Sequence, residues 1–197
     1  MRDRRYTVED KELHAINPND EININYQDKE IAIEQLMDFY TQKVYLLAFS
    51  FVKDRGVAED ISQEVFLKAY KYLDSFRGDS ALKSWIYRIT VNTSKDFLKK
   101  RSLKQLILES SFLENFNRTE STETTFLKAD RNEQLLQTIL TLPIKYRAVI
   151  VFHYFYDLKI NEISLVLNVN TNTVKTRLSR GRDILRRKIE AKEGDVF

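Results

Sequence analysis

The sequence contains no cysteine, only 4 glycines and only 2 prolines among its 197 residues. The absence of cysteine excludes disulfide bonds and cysteine-based zinc sites, and it favours a location inside the cell. The scarcity of glycine and proline disfavours β-rich folds, because the tight turns between strands depend on such residues. Good helix formers, leucine, lysine and glutamate among them, are frequent instead. We therefore expect an all-α protein.

Other features that define common classes of protein are also missing. The two histidines, His14 and His153, lie far apart, so no histidine pair at helical spacing is available to bind a metal. No apolar run approaches the roughly 20 residues of a membrane-spanning helix, and no apolar stretch of a signal peptide follows the charged N-terminus. Glycine-rich phosphate loops and dinucleotide-binding motifs are absent. These absences predict a cytoplasmic protein with no metal, no cofactor, no catalytic residues and no small-molecule substrate.

The net charge of +3 is modest, but two segments are strongly basic. Residues 83–104 carry seven lysines and arginines against the single acid Asp96, and residues 175–188 carry seven against Asp183. Two separate basic segments favour two contacts with a polyanion such as DNA. Two solvated helix faces would give the same pattern, so charge alone leaves both interpretations open.

The first half of the chain reads as a polar tail followed by a helical unit. Residues 1–28 lack periodicity and are expected to be flexible. Apolar residues then recur at helical spacing from Ile31 to Phe51 and from Val57 to Leu73. We expect Gly56 to end the first helix in a left-handed turn. Asp79 or Ser80 would cap a third segment from Leu82 to about Leu108, either one helix or a pair of helices.

The second half predicts a linker and a second helical unit. Residues 109–128 include Asn117–Thr125, which has no strongly apolar residue and cannot bury much surface. The first unit therefore spans 29–108 and the second 129–191, followed by a tail at 192–197. Within the second unit, Pro143 fits the first position of a new helix.

The strongest local signal is a helix-turn-helix. Ile160–Leu167 is a short helix, Asn168-Val169-Asn170 is the turn, and Asn170 or Thr171 caps the next helix. The alternative is an ordinary helical hairpin with a basic outer face and no role in DNA binding. In a DNA-binding helix-turn-helix, the second helix would offer side chains to the major groove. The candidates are Asn172, Thr173, Lys175, Thr176, Arg177, Ser179 and Arg180.

Three blocks of sequence resemble the extracytoplasmic-function sigma factors of bacterial RNA polymerase. The first is Ala58–Tyr70, which reads AEDISQEVFLKAY and is similar to the region 2 helix that contacts polymerase. The second, Phe76–Ala81 and Trp85–Asn92, is similar to the segment that handles the promoter −10 element. The third, Leu142–Arg147 with the helix-turn-helix, resembles region 4, which reads the −35 element.

The resemblance implies a role for each block. A face of the region 2 helix would bind the β′ clamp helices of core polymerase through Asp60, Gln63, Glu64, Phe66 and Tyr70. The melted −10 strand, which requires basic groups and aromatic platforms, would be bound by Lys83, Trp85, Tyr87, Arg88, Asn92, Lys95, Lys99, Lys100 and Arg101. The seven residues of the helix-turn-helix given above would read the −35 element.

The resemblance also implies partners and a biological setting. These are core RNA polymerase, with its β′ clamp helices and β flap, promoter DNA, and an anti-sigma factor that can hold the chain at the membrane. The setting would be a stress or envelope response.

Two other functions remain as alternatives. A stand-alone helix-turn-helix regulator would explain the C-terminal half but not the first two blocks. A nuclease metal site at Asp54, Glu59, Asp60 and Glu64 would lack a clear third ligand, since Glu59 and Asp60 diverge on a helix.

Overall fold

The computed structural model describes residues 28–76, 81–111 and 131–194, with side chains at 28–76, 81–103 and 134–191. This part of the chain is all-α, as predicted, and contains no strand. The helices are α1 (Lys29–Val52), α2 (Arg55–Tyr72), α3 (Leu82–Ser111), α4 (Arg131–Leu140), α5 (Ile144–Tyr154), α6 (Ile160–Leu167) and α7 (Thr171–Gly194), with a short 3-10 helix at Leu73–Ser75. None of these described helices is long and apolar enough to cross a membrane.

Several sequence predictions concern residues outside the described ranges. They are the tail at 1–27, the capping roles of Asp79 and Ser80, nearly all of the linker, and the last three residues. The third segment is a single continuous helix, α3, which decides between the two alternatives left open for it.

The prediction that Gly56 ends the first helix is wrong. Lys53 takes the left-handed conformation instead, at φ 58°, and its N–H donates to the carbonyl of Phe49. Gly56 lies in the first turn of α2, because the Asp54 side chain accepts from the N–H of Val57 and starts that helix at Arg55. An aspartate at the N-cap satisfies a donor that the helix leaves free, so a short break suffices here.

The first helical unit consists of α1, α2 and α3, each packed against the other two. Their shared core is apolar and fully or nearly fully buried. It includes Leu36, Val44, Leu47, Ile61, Val65, Ala69, Ile86 and Val91. Burying such side chains contributes roughly 1.5–3 kcal/mol each. This packing fixes which faces of α2 and α3 remain for partners.

The second unit consists of α4 to α7, in which α7 packs along α5 and also touches α4 and α6. Gly181 sits on α7 where that helix crosses α5. A Cβ added at Gly181 would lie 3.1 Å from Cγ1 of Ile150, closer than side chains normally approach. The glycine therefore permits the close approach of the two helices. Pro143 stands at the N-cap of α5, one position before the place predicted for it.

The two units are packed against each other: α5 contacts α1, and α6 contacts α3. The apolar residues of both units belong to one continuous buried cluster. The basic helix α3 of the first unit therefore lies beside the helix-turn-helix of the second.

Candidate DNA and polymerase interfaces

The turn of the helix-turn-helix is held by three local interactions. Asn168 adopts the left-handed conformation at φ 53° and ψ 55°, which asparagine tolerates better than most residues. The hydroxyl of Ser164 donates to the carbonyl of Val169 at 2.6 Å. The side chain of Asn170 accepts from the N–H of Thr173 at 2.7 Å, so Asn170 is the N-cap of α7. The predicted turn is thus confirmed, and it fixes the direction of α7.

Apolar side chains on the inner faces of α6 and α7 anchor this pair of helices. Ile163, Leu167, Val174 and Leu178 are buried, and Val169 packs partly buried at the turn. These five side chains form the inner face of the pair. The outer face of α7 is thereby left for other contacts.

The structure places most of the candidate −35 residues on that outer face. Asn172, Lys175, Thr176, Ser179 and Arg180 are exposed, whereas Thr173 and Arg177 are half-buried. The neighbouring Tyr146 was not predicted to take part. The pKa of Tyr146 is lowered mainly by its hydroxyl's interaction with Arg180, and Lys145 lowers it further. Tyr146 therefore lies within reach of Arg180.

The polar and basic candidates for −10 binding follow α3. Arg88, Asn92, Lys95, Lys99, Lys100 and Arg101 are exposed. Lys83 is half-buried and forms an ion pair with Glu162 of α6 at 3.2 Å. Burial lowers the pKa of Lys95, and the nearby positive charge of Arg177 lowers it further. The two predicted DNA-binding helices are thus close enough for their charges to interact.

The aromatic platforms expected at Trp85 and Tyr87 are not accessible in this arrangement. Trp85 is 8% exposed and packs against Phe76, with ring centroids 5.2 Å apart. Tyr87 is 4% exposed and lies under α5. Trp85 belongs to the core of its own unit, which is the alternative to a DNA-binding role that a tryptophan favours. Tyr87 is covered by the second unit.

The candidate polymerase-binding face of α2 retains four of its five predicted residues. Asp60, Gln63 and Tyr70 are exposed. Glu64 is half-buried and pairs with Lys68 at 3.4 Å. Leu67, which the sequence argument overlooked, is 67% exposed and shares this face with Asp60, Gln63 and Tyr70. Its position four residues after Gln63 and three before Tyr70 could have identified it.

Phe66 is the exception on α2, and its predicted place on the binding face is wrong. It is 6% exposed and belongs to the core. The spacing of apolar residues along α2 predicts a buried stripe of Ile61, Val65, Ala69 and Tyr72, but Tyr72 is 48% exposed. The buried arc is wider and also includes Ser62 and Leu73, and Phe66 falls within it.

A further apolar groove of about 550 Å³ lies on the second unit, between α4, α5 and the C-terminal half of α7. Its floor is formed by aliphatic and aromatic side chains, and Arg182, Arg186 and Glu190 stand among its lining residues. The apolar members are Leu135, Ile139, Ile150, Tyr154, Phe155, Leu185 and Ile189. Grooves of this kind accept amphipathic helices.

The acidic residues considered as a metal site do not converge. Asp54 is used as the N-cap of α2, and Glu64 pairs with Lys68. Among the residues that the structure describes, no group of three or more acidic, histidine or cysteine side chains could hold a metal ion.

Comparison with protein families matches both units separately. The family model for sigma-70 region 2 matches residues 36–103, and the model for sigma-70 region 4 matches residues 132–185. The chain is 33% identical to the ECF RNA polymerase sigma factor SigW of Bacillus subtilis over 166 residues, which cover 80% of this chain and 89% of SigW. It is 37% identical to the sigma factor SigV of the same organism over 147 residues, 75% and 84% of the two chains.

The chain belongs to the ECF sigma factors of RNA polymerase. Sigma factors are transcription initiation factors, so this sigma factor binds core RNA polymerase and directs initiation at specific promoters. A stand-alone helix-turn-helix regulator is not favoured, because the chain matches region 2 in addition to region 4. A solved sigma factor of similar fold is RpoE of Bartonella quintana in complex with the anti-sigma factor NepR. Its TM-score is 0.65 at 20% identity, over 80% of this chain and 96% of RpoE.

Proposed function

We propose that this sigma factor docks on core polymerase through the exposed face of α2 and reads the −10 and −35 elements with α3 and α7. The observation that carries the proposal is the helix-turn-helix, whose turn is fixed and whose basic outer face is exposed. Arginine and lysine on such a face can pair with guanine, worth roughly 1–3 kcal/mol each. Transcription takes place in the cytoplasm, where we place the protein.

The polymerase contact centres on Leu67. An exposed leucine alone needs no explanation, but here Asp60, Gln63 and Tyr70 surround it on one helical face. A central apolar anchor within a polar rim is the arrangement that dominates the energy of many protein interfaces. Tyr70 also has Lys29 over its ring, with Nζ 4.8 Å from the centroid, which keeps the ring at the surface.

The experiment compares core polymerase binding by Leu67→Asp and Leu46→Asp. Leu46 is an exposed leucine of α1 in the same unit, at 44% exposure, and serves as the matched control. Leu67→Asp is expected to weaken binding by about ten-fold or more, and Leu46→Asp to leave it unchanged. Equal affinities of the two variants would contradict the proposed docking face.

We assign the β flap of polymerase to the apolar groove on the second unit. The groove is open, apolar at its floor and basic at part of its rim. An amphipathic helix with acidic flanks would suit this surface. Leu135 and Leu136 offer a close comparison, because they are adjacent and are 37% and 38% exposed, yet only Leu135 lines the groove.

Leu135→Asp is therefore expected to weaken binding to an isolated β-flap fragment, and Leu136→Asp is not. The measurement is a fluorescence titration of the full chain with the flap fragment. If both variants bind as the wild-type chain does, the flap is not the occupant of this groove.

The basic residues of α7 divide into two kinds by position. Lys175, Thr176 and Arg177 lie in its first two turns, which in helix-turn-helix proteins enter the major groove. Arg187 lies further along, does not line the groove assigned to the β flap, and is suited to phosphate, which adds affinity without sequence information. On α3, Arg88 and Asn92 are one turn apart and exposed, so they can act on the same stretch of the −10 strand.

We also propose that an anti-sigma factor controls this protein, as part of a stress or envelope response. Support comes from the similar fold of RpoE, which was solved in complex with the anti-sigma factor NepR. The test is to purify the sigma factor from its native cell with any bound partner. Removing an inhibitory partner should raise transcription, whereas a bound protein whose removal changes nothing would count against this control.

A further inference from the structure

An aromatic contact joins the two units of the sigma factor. The ring of Tyr87 on α3 meets the ring of Tyr156 edge to face, with centroids 4.9 Å apart. It also approaches Phe152 of α5 at 6.2 Å and Tyr40 of α1 at 5.9 Å. Phe152 is fully buried. Aromatic rings in such geometry attract each other beyond their burial, so this cluster is a specific contact.

Three polar contacts surround the aromatic cluster. The hydroxyl of Tyr156 donates to the carbonyl of Lys43 at 2.6 Å. The guanidinium of Arg147 donates to the carbonyl of Phe51 at 3.2 Å. The ammonium group of Lys83 pairs with the carboxylate of Glu162 at 3.2 Å. Each contact runs between the region 2 unit and the region 4 unit, so together they fix one relative placement.

That placement brings the two DNA-binding helices too close together for one promoter. The positions that name the −35 and −10 elements differ by about 25 base pairs, or about 85 Å at roughly 3.4 Å per base pair. The helix α3 has 30 residues and is therefore about 45 Å long at about 1.5 Å per residue. The helix α6 packs on α3, and Arg177 of α7 lies near Lys95 in the middle of α3. In this arrangement α7 cannot lie on one element while α3 reaches the other.

We propose that the contact of Tyr87 with Tyr156 and Phe152 is autoinhibitory: it holds the free sigma factor closed and must open before both promoter elements are bound. This inference rests on the proposed function. Opening frees Lys83 from Glu162 and exposes the ring of Tyr87 on the −10 helix. The like charges of Lys95 and Arg177, which oppose closure, then separate and become available to DNA. Tyr87 thus changes from a latch in the closed chain to a platform for the melted strand.

The absence of cysteine from the chain permits a reversible lock. Lys83→Cys and Glu162→Cys replace the two partners of the ion pair. A short bis-maleimide with a disulfide in its spacer joins them, because each thiol adds across one maleimide double bond. Transcription is then measured with core polymerase on a promoter that needs both elements, before and after a reductant opens the lock. The same molecules therefore serve as their own control.

The locked chain is expected to lose transcription by about ten-fold or more, since activity follows the fraction of chain in the competent state. The reductant should return transcription by the locked chain to the level of the same double-cysteine variant that was never cross-linked. Equal transcription by the locked and the opened chain would overturn the inference. If the opened chain also fails to initiate where the wild-type chain does, Lys83 is needed for initiation itself and closure is not what limits it. Failure of the wild-type chain would instead overturn the proposed function.

A second experiment weakens the closed state without removing a ring. Glu162→Gln loses the charge facing Lys83 but keeps an oxygen for the N–H of Lys159, which Glu162 caps at 2.8 Å. Tyr156→Phe loses only the hydroxyl. The matched control combines Asn161→Lys, which makes the same change of charge on α6, with Tyr154→Phe at an exposed tyrosine.

Spin labels at Glu34→Cys and Asp183→Cys, both exposed, report the distance between the units by pulsed EPR. The wild-type chain and the control are expected to give one narrow distance. The Glu162→Gln, Tyr156→Phe chain should give a broader and longer distribution and bind promoter DNA about three-fold to ten-fold more tightly. A broad distribution in the wild-type chain, or no difference between the two double variants, would overturn the inference.

Discussion

The guanidinium of Arg147 donates a hydrogen bond to the carbonyl of Phe51, 96 positions earlier in the chain, at 3.2 Å. It also donates to the carbonyls of Leu140 at 2.6 Å and Leu142 at 3.2 Å. Leu140 ends α4 and Phe51 lies in the last turn of α1, where helices expose unpaired carbonyls and a partial negative charge. One buried cation thus closes two helix ends that belong to different regions. Burial lowers the pKa of Arg147, yet arginine stays protonated in proteins.

Replacing Arg147 with methionine should therefore destabilise the fold. The change removes three hydrogen bonds from a charged donor and leaves buried carbonyls without this partner. We expect the free energy of unfolding to fall by about 2–4 kcal/mol. The measurement is unfolding in denaturant, with Lys145→Met on the exposed side of the same helix as the control. A loss as small as that of the control would show that these bonds contribute little.

The adjacent residues Phe66 and Leu67 should separate stability from polymerase binding. Phe66 is 6% exposed, so Phe66→Ala is expected to lower the free energy of unfolding by about 3 kcal/mol or more. Leu67 is 67% exposed, so Leu67→Ala should change stability by less than about 0.5 kcal/mol. Only Leu67→Ala should weaken polymerase binding by more than its effect on folding stability explains. If Phe66→Ala weakened polymerase binding beyond its effect on stability and Leu67→Ala did not, the sequence-based prediction for Phe66 would be supported instead.

The basic residues of α7 should differ in how salt affects their contribution to DNA binding. Arg187→Ala on a phosphate contact would weaken binding to all duplexes and reduce the salt slope by about one. Arg177→Ala on a base contact would instead weaken binding by about 1–3 kcal/mol at the −35 sequence and relax the preference for one base pair. Titrations of a −35 duplex and a scrambled duplex at several salt concentrations distinguish the two. Lys71→Ala on α2 is the control and should change neither quantity.

The sequence predicted the helices and the helix-turn-helix because both depend on local spacing. Asn168 and Asn170 carry their own turn and capping preferences, and the structure uses both as expected. Phe66 was misplaced because periodicity locates the centre of a buried stripe but not its width. Tyr87 was misplaced because what buries it is Tyr156 and Phe152, which lie in the other half of the chain. No local pattern encodes that pairing.

High pH should weaken both the closed state and the folding stability of the chain, because two tyrosines are buried. Burial raises the pKa values of both Tyr87 and Tyr156 above the ordinary value of 10.0. Their neutral forms are thus favoured in the folded chain, so their contribution is fully present below about pH 10 and is lost as the pH rises above it. Tyr156→Phe should flatten part of this loss above about pH 10. The control Tyr154→Phe should not.

Unfolding in denaturant across that pH range provides the measurement, with tyrosinate absorbance followed in parallel. The account requires the ionisation of two tyrosines to coincide with opening or unfolding. Identical pH profiles for wild-type and Tyr156→Phe chains would argue against a role for the Tyr156 hydroxyl.

Transcription in a purified system tests the central claim most directly. Core RNA polymerase is combined with this sigma factor and a library of genomic promoters, with the wild-type chain and Arg177→Ala compared side by side. The account predicts specific initiation only when polymerase and sigma factor are both present, and weaker initiation with Arg177→Ala. No initiation, together with tight duplex binding by the chain alone, would contradict it.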